Sequence, residues 1–347
     1  MSVSAFAPAT IANLGPGFDV LGLALADHGD TVTARFSDAP GVTIATITGD
    51  NGALPREPQQ NTAAIAAEAT LRAAGITANI SLDLHKGLPL CSGLGSSAAS
   101  AAAAAFATNL LIGNPLRKQD LIEPCIDAEE AVSGRHADNV APAMLGGLVL
   151  VRSVDPLDLI RLPIPDGLTL VVVTPDLELP TREARAVLPA QIPLTTMVET
   201  TAQVGALVSA CYSADLSLLS RSLTDPVVTP ARIGLIPGGA MALEAALDAG
   251  ALGASISGAG PSLFAMCRSE RSARTIASAM AAALANHGNA TSIHISPANC
   301  PGVRRVNPRT TAIAAPAPAN STRFTISDTA AHAAGPSMSD GTSKRSH

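Results

Sequence analysis

The stretch Pro89-Leu-Cys-Ser-Gly-Leu-Gly-Ser-Ser-Ala-Ala99 decides how this chain is interpreted. Its two glycines, Gly93 and Gly95, allow the backbone to adopt positive φ and to approach a ligand closely. Ser96 and Ser97 are good N-cap residues, and the alanine-rich run behind them predicts that a long helix begins here. The free N–H groups and the positive dipole end of such a helix favour an anion. The stretch therefore predicts a site for the phosphates of a nucleotide.

Taken alone, these residues also fit two other kinds of structure. The stretch could be a capped helix start without a ligand. Its glycine spacing also fits a dinucleotide-binding loop, with Asp120 about 20 residues further on. That loop should follow a strand directly, whereas Pro89, Cys91 and Ser92 separate the glycines from the last clear strand, which ends near Leu84. No lysine follows the glycines, so the stretch is not a Walker A loop either.

The bulk composition narrows the class of protein. A length of 347 residues allows about two ordinary domains. The net charge of −6 argues against a nucleic-acid partner. Five cysteines without a CxxC pair fit reduced thiols, and we find no signal peptide or membrane span. We therefore expect a cytoplasmic protein without a membrane partner. Because aromatic residues make up only 2% of the chain, its core must consist mainly of Ala, Val, Leu and Ile.

Apolar periodicity predicts a chain of mixed helices and strands. In the first half we expect strands over residues 3–9, 30–36, 42–48, 79–84, 147–152 and 168–174, helices over 61–74, 96–111 and 118–132, and a loop over 10–22. In the second half we expect helices over 182–188, 194–212, 238–249 and 270–286, and strands over 254–256, 263–267 and 291–296. This order suggests two domains, 1–165 and 166–306. Residues 307–347 lack apolar periodicity and are predicted to be disordered.

Five segments, in order along the chain, identify a family. The glycine-rich stretch resembles the phosphate loop of the GHMP kinases (galactokinase, homoserine kinase, mevalonate kinase and phosphomevalonate kinase). Three other segments are similar to the homoserine kinase branch, and one resembles the third GHMP motif; they are PATIANLGPGFD at 8–19, HADNVAP at 136–142, the segment 181–189 that begins TREAR, and SGAGPS at 257–262. The resemblance covers roughly residues 3–306.

The resemblance implies an α+β fold of two domains. The first would be similar to ribosomal protein S5, with a left-handed βαβ unit, and the second would be ferredoxin-like. It also implies ATP-dependent phosphorylation of the side-chain hydroxyl of L-homoserine, giving O-phospho-L-homoserine and ADP in threonine biosynthesis. ATP would be the co-substrate and Mg²⁺ the metal. Relatives often dimerise, so a homodimer is one expected assembly.

The resemblance also implies an ATP site around the phosphate loop. The loop residues are Pro89, Leu90, Cys91, Ser92, Gly93, Leu94, Gly95, Ser96, Ser97, Ala98 and Ala99. Asn61 resembles a contact on the adenine side, and Lys86 could neutralise phosphate charge or be an ordinary surface lysine. Mg²⁺ prefers hard oxygen ligands, which makes Ser97, Glu129 and Glu130 the candidates, with Glu129 preferred. Cys91 replaces the glycine or serine that is common in relatives.

A zwitterionic amino acid alcohol needs groups of both charges. Arg185 and Arg232 match family positions that bind the carboxylate, and Asp19 matches the position that binds the ammonium. Asn13, His136, Asp138, Asn139 and Thr181 would complete the site. An asparagine cannot act as a base, so the pattern predicts catalysis by positioning, in which Asn139 orients the hydroxyl and Arg232 assists the developing charge.

Three rival functions remain on sequence grounds. A GHMP kinase for another alcohol, such as mevalonate or a sugar, would leave Arg185 and Arg232 without an obvious role if its substrate were a neutral sugar. A non-catalytic GHMP-like binding protein would not need the intact loop and the acidic pair. A dinucleotide-binding oxidoreductase would bind NAD(H) rather than ATP.

Overall fold

A computed structural model describes residues 1–307 of the chain. Nearly all of the predicted disordered segment, 307–347, lies outside the described residues. Among residues 1–307, none of the helices combines the length and the apolar character needed to cross a membrane. Two β-sheets organise this part of the chain, and the main cavity lies where loops from both meet.

The larger sheet has seven strands, six from residues 2–162 and one from residues 304–306. Its strands are β1 (Ser2–Ala12), β2 (Leu21–Phe36), β3 (Val42–Thr48), β4 (Ile80–His85), β5 (Leu148–Val154), β6 (Leu157–Leu162) and β11 (Arg304–Val306). Their order is β11-β1-β2-β4-β3, with β5 beside β2 and β6 beside β5. The pair β3 and β4 is parallel and is connected through a helix, whereas the other pairs are antiparallel.

Four helices cover the larger sheet. They are α1 (Thr62–Ala73), α2 (Ser96–Leu111), α3 (Ile122–Glu130) and α4 (Val140–Leu145), with single 3₁₀ turns at Pro58–Gln60 and Lys118–Leu121. Two of these helices, α1 and α2, are rich in alanine. Helix α2 packs against α1, β1 and β2 and is buried on nearly all sides. Small alanine side chains let these elements approach closely, which is how a chain with few aromatic residues fills its core.

The smaller sheet has four antiparallel strands, β7 (Thr169–Pro175), β8 (Gly253–Ile256), β9 (Leu263–Cys267) and β10 (Thr291–Pro297), in the order β10-β7-β9-β8. Helices α9 (Gly239–Asp248) and α10 (Glu270–Ala285) cover one face. The helices between β7 and α9 are α5 (Thr181–Ala186), α6 (Leu194–Ser213), α7 (Leu216–Ser222) and α8 (Val228–Arg232), followed by a 3₁₀ turn at Ile233–Leu235. Strand order and helix placement match the ferredoxin-like arrangement.

Side chains of strand β7 alternate between two cores. Leu170 and Val172 join the core that also contains the larger sheet, whereas Val171 and Val173 pack with α9 and α10. This alternation is what a strand buried on both faces requires. The first core therefore continues across the contact between the two sheets.

The structure corrects part of the predicted pattern. The expected loop over 10–22 is too long, because β1 continues to Ala12 and β2 begins at Leu21, where the two strands pair with each other. The short elements α4, α7, α8, β6 and β11 were not predicted. After Leu162 the chain leaves the larger sheet and enters the smaller one at β7. Residues 304–306, which we placed in the second domain, nevertheless pair with β1 of the larger sheet. The division into domains stays a prediction.

Candidate active site

A cavity of about 570 Å³ collects most of the predicted site residues. The predicted residues that line it are Asn13, Asp19, Asn61, Lys86, Leu90, Cys91, Ser92, Gly93, Gly95, Ser96, Ser97, Glu129, His136, Asp138, Asn139, Thr181, Arg185 and Arg232. Pro89, Leu94, Ala98, Ala99 and Glu130 do not line it. The first four of these lie in the loop or at the start of α2, so they support the residues that line the cavity.

The glycine-rich loop passes too close to its neighbours for side chains at either glycine. A Cβ on Gly93, at φ +78°, would lie 2.4 Å from the Ser257 carbonyl oxygen. A Cβ on Gly95, at φ +63°, would lie 2.1 Å from Thr10 Oγ1. The SGAGPS turn is attached to the same loop, since Ser257 Oγ donates to the Gly93 carbonyl at 2.7 Å. The turn thus supports the loop.

The serines behind the glycines are not the caps of α2. Gly95 is the N-cap residue, and Ser96 is the first residue of the helix. The predicted N-cap role of Ser96 and Ser97 is therefore wrong, because the left-handed Gly95 starts the helix one residue earlier than a serine cap would. The Ser96 hydroxyl is buried and has no hydrogen-bond partner among residues 1–307. Both serines line the cavity, and the Ser97 hydroxyl also interacts with the Glu129 carboxyl.

Lys86 does not present a free charge to the cavity. Its ammonium group forms a salt bridge with Asp30 in which the two side chains are 2% and 0% exposed. It also donates to the Ser96 carbonyl and to Ser100 Oγ, both at 2.8 Å. Lys86 is therefore not a surface lysine, and the predicted neutralisation of phosphate charge needs correction. Its side chain instead ties the start of α2 to β2 and β4.

The two adjacent glutamates at the end of α3, Glu129 and Glu130, lie in different environments. Glu129 is buried and lines the cavity, where its Oε2 accepts from Ser133 Oγ at 3.0 Å. Its Oε1 has no hydrogen-bond partner among residues 1–307. Burial raises the pKa of this carboxyl, although the hydroxyls of Ser97 and Ser133 and the Lys86 charge act in the opposite direction. Glu130 points away and pairs with Arg135, so it is not placed to hold a metal at this cavity.

An ion pair spans the opposite side of the cavity. Arg185 donates to both carboxylate oxygens of Asp19, at 2.9 and 3.2 Å. Its Nη2 also lies 2.9 Å from His136 Nε2. The Phe18 ring lies beneath the Arg185 and Arg232 guanidinium groups, at 5.5 and 5.4 Å from the ring centroid. Arg185 and Asp19, predicted to bind the carboxylate and the ammonium of the substrate, thus lie side by side and form an ion pair with each other.

Arg232 is the largest of the fully buried side chains in the described part of the chain. It donates to the carbonyl oxygens of Ala184 and Gly258, each at 2.8 Å. Burial and the neighbouring Arg185 lower its pKa to about 10. The guanidinium is thereby held rigidly at the cavity wall, next to the turn that supports the phosphate loop.

Asn139 is held between two neighbours. Thr10 Oγ1 donates to Asn139 Oδ1 at 2.7 Å, and the amide nitrogen lies 3.5 Å from an oxygen of Asp138. Asp138 is buried, and desolvation followed by the negative charge of Asp19 raises its pKa to about 7. Its oxygen accepts from Thr10, and its amide nitrogen has a second N–H that it can donate to a ligand, which suits the predicted orientation of a hydroxyl oxygen.

Two predicted contacts use their side chains for the fold. Asn61 caps α1, where Oδ1 accepts from Ala63 N–H at 3.1 Å and Nδ2 donates to the Pro55 carbonyl at 2.9 Å. Asn13 donates to the Gly258 carbonyl at 3.1 Å and accepts from Asp19 N–H at 3.2 Å. Both amides line the cavity, and each uses one donor and one acceptor to position neighbouring elements.

Several residues of the site escaped sequence reasoning. Thr10 and Phe18 lie within the PATIANLGPGFD segment, from which we predicted only Asn13 and Asp19 as site residues. Asp30 lies in a predicted strand, where a single acid usually faces solvent. Arg182 within α5 and Glu178 just before that helix also line the cavity. The acid within a strand and the lysine just before the loop could have been considered together, but the two lie 56 residues apart in sequence.

Comparison with known proteins agrees with this geometry. The family model of the GHMP kinase N-terminal domain matches residues 61–147, and that of the GHMP kinase C-terminal domain matches 207–286. A homoserine kinase of Chlorobaculum tepidum is 47% identical over 294 residues, covering 81% of this chain and 90% of that protein. A homoserine kinase of Arabidopsis thaliana is 47% identical over 300 residues, covering 84% and 81%.

Solved structures give the same result for the fold. A homoserine kinase from Cytophaga hutchinsonii matches with a TM-score of 0.86 and 45% identity, covering 88% of this chain and 97% of that one. A galactokinase of Lactococcus lactis, at 15% identity and a TM-score of 0.66, shares the fold alone.

Proposed function

This chain belongs to the homoserine kinases of the GHMP kinase family, and we propose on that premise that it phosphorylates the side-chain hydroxyl of L-homoserine. As a member of this family it is an ATP-dependent phosphotransferase that acts on a hydroxyl group. The products would be O-phospho-L-homoserine and ADP, which places the reaction in threonine biosynthesis.

One observation carries the proposal. A single cavity has an anion-binding loop at one side and, at the other, a carboxylate and two guanidinium groups within one cluster. The loop suits the phosphates of ATP, and the cluster suits the carboxylate and ammonium of an amino acid. A neutral sugar would leave those charges unused, and a dinucleotide would not need them, so both rivals lose support.

The buried oxygens near the loop suit Mg²⁺. We propose that Glu129 and the hydroxyls of Ser96 and Ser97 hold the ion, because two of these oxygens are buried without a partner among the described residues. Mg²⁺ would neutralise phosphate charge when bound. Across residues 1–307 no group of three or more His, Cys, Asp or Glu side chains could hold a metal. We therefore expect ATP oxygens and water to complete the coordination.

Phosphoryl transfer would then depend on positioning. The homoserine oxygen forms a bond to the γ-phosphorus while the bond from that phosphorus to the bridging oxygen breaks, and ADP leaves. Asn139 would donate its N–H to the hydroxyl oxygen, and Arg232 would offset negative charge on the transferred group. In a loose transition state the hydroxyl proton leaves late. We propose that it passes to an oxygen of the transferred phosphoryl group, so that no side-chain base is required.

The first test is ADP release with ATP and Mg²⁺ in the presence of L-homoserine, L-serine, L-threonine, mevalonate or galactose. Homoserine-dependent turnover well above the other substrates is the expected result. Turnover only with a substrate that is not an amino acid would overturn the roles given to Asp19 and Arg185. The absence of turnover with every substrate would favour a binding protein. Glu129→Gln, which removes a charge but little volume, should require a much higher Mg²⁺ concentration, with Glu130→Gln as the matched control.

Other expectations remain proposals. We propose two domains, divided near residues 165 and 166, a cytoplasmic location and a homodimer. Gel filtration of the full chain measures the last of these.

A further inference from the structure

Ser133, just after α3, holds one oxygen of the buried Glu129 carboxylate and leaves the other without a partner. The Ser133 hydroxyl donates to Glu129 Oε2 at 3.0 Å and makes a longer contact, at 3.4 Å, with the Glu129 carbonyl oxygen. Glu129 Oε1 has no hydrogen-bond partner among residues 1–307, although both side chains line the cavity. The carboxylate is therefore held from one side, and one of its oxygens is left for a ligand.

The surroundings of this carboxylate suit a cation that arrives with the nucleotide. Within residues 1–307, Glu129 forms no salt bridge, whereas its neighbour Glu130 pairs with Arg135. Burying a carboxylate is costly unless a cation pairs with it or a metal ion binds it. This step rests on the proposed function, in which Glu129 is one of the groups that hold Mg²⁺.

The turn that carries Ser133 is fixed on both sides. The N–H groups of Val132, Ser133 and Gly134 all donate to the Glu129 carbonyl oxygen, at 3.0, 2.8 and 3.2 Å. Gly134 has a φ of +107°, and a Cβ there would lie 2.7 Å from His136 Nε2. The turn is thus packed between the end of α3 and the His136 ring. This packing sets the position of the Ser133 hydroxyl relative to the carboxylate.

A carboxylate that is already oriented loses less conformational freedom when it binds a metal ion than one that rotates freely. Groups that hold metal ligands by hydrogen bonds therefore affect metal affinity without touching the metal. We propose that Ser133 is a positioning residue of the Mg²⁺ site, which holds Glu129 through Oε2 and leaves Oε1 for the ion. Ser133 acts through Glu129 alone and makes no contact with the ion.

The test measures binding of Mn²⁺, as the probe ion, with a non-hydrolysable ATP analogue to the full chain by electron paramagnetic resonance. Binding to the native chain, and its strong loss in Glu129→Gln, test the proposed metal site by themselves. Ser133→Ala should weaken Mn²⁺ binding by about tenfold, and Ser133→Thr, which keeps the hydroxyl, should restore most of it. Ser213→Ala is the matched control, because Ser213 also donates to a carbonyl four residues earlier, at the end of α6, and should leave Mn²⁺ binding unchanged.

The double variant separates positioning from direct contact. If Ser133 acts only through Glu129, adding Ser133→Ala to Glu129→Gln should weaken Mn²⁺ binding by about twofold or less. A tenfold loss that persists in this background would overturn the proposal, because Ser133 would then act on the ion or on the fold. Native affinity in Ser133→Ala, with Glu129→Gln still defective, would also overturn it and leave the metal site itself intact. Should Ser133→Ala fail to fold, Ser133→Cys, whose thiol is only a weak donor, decides in the same way.

Discussion

Replacing Lys86 by methionine should lower the free energy of unfolding and should have no direct effect on ATP binding. Methionine keeps most of the side-chain volume but removes the charge that neutralises Asp30, whose side chain is fully buried. Breaking a buried ion pair by removing one partner costs about 3–5 kcal/mol. Asp30 would still accept from the N–H groups of Gly87 and Leu88 at 3.0 and 3.2 Å and from Ser100 at 2.7 Å. We therefore expect the lower end, about 3 kcal/mol.

The assay is urea denaturation followed by circular dichroism at constant pH, applied to the native chain, Lys86→Met, Asp30→Asn and the double variant. The double variant removes both charges of this pair, so its loss of unfolding free energy should be smaller than the sum of the single losses. A coupling of about 1–3 kcal/mol is expected for groups in direct contact.

Two outcomes would refute this reasoning. If Lys86 acted on the phosphates, as its place before the loop first suggested, Lys86→Met would unfold like the native chain while the KM for ATP rose strongly. Additive losses in the double variant would also contradict a direct interaction between the two side chains.

The site supports three more tests. Thr10→Val removes the hydrogen bond that orients Asn139, so kcat should fall by about tenfold with little change in the KM for homoserine, and Thr10→Ser should restore it; an unchanged kcat would contradict the positioning. Burial, and after it the charge of Asp19, raises the pKa of Asp138 from 3.8 to about 7, so the folded chain binds more protons than the unfolded chain between these values, and stability should fall as pH rises from 4 to 7; Asp138→Asn should flatten the slope of the unfolding free energy against pH. Burial and Glu178 raise the pKa of the Cys91 thiol, so alkylation should be slow at neutral pH, faster at higher pH, and slowed by ATP; alkylation that ATP does not affect would place Cys91 outside the nucleotide site.

Sequence reasoning found long elements and contiguous motifs well. The alanine-rich run after the glycine loop located α2, the apolar period of a long amphipathic segment located α10, and β-branched or apolar runs located the four strands of the smaller sheet. Sequence reasoning missed α4, α7 and α8, which have five to seven residues and too few turns to display a helical period. The strand β11, with three residues, was missed for the same reason.

In the site, the sequence indicated which residues take part but not which other side chains they contact. The loop, Asp19 and Arg185 could be proposed from local segments. That Asp19 and Arg185 pair with each other could not, because the two lie 166 residues apart in sequence. The same holds for Lys86, whose role depends on a distant acid in β2. Contacts between remote segments are set by the fold, and one sequence by itself contains little direct signal for them.

The placement of β11 affects how the protein can be made in the cell. The edge of the larger sheet at β1 is completed by Arg304–Val306, after the chain has built the whole of the smaller sheet. At translation speeds of about 5–20 residues per second, several seconds must pass between synthesis of β6 and synthesis of β11. During that interval the nascent chain exposes an unpaired strand edge, which is a template for wrong pairing. Fragments ending before residue 304 leave Ser4–Phe6 unpaired on that side and should therefore aggregate more readily than the full chain.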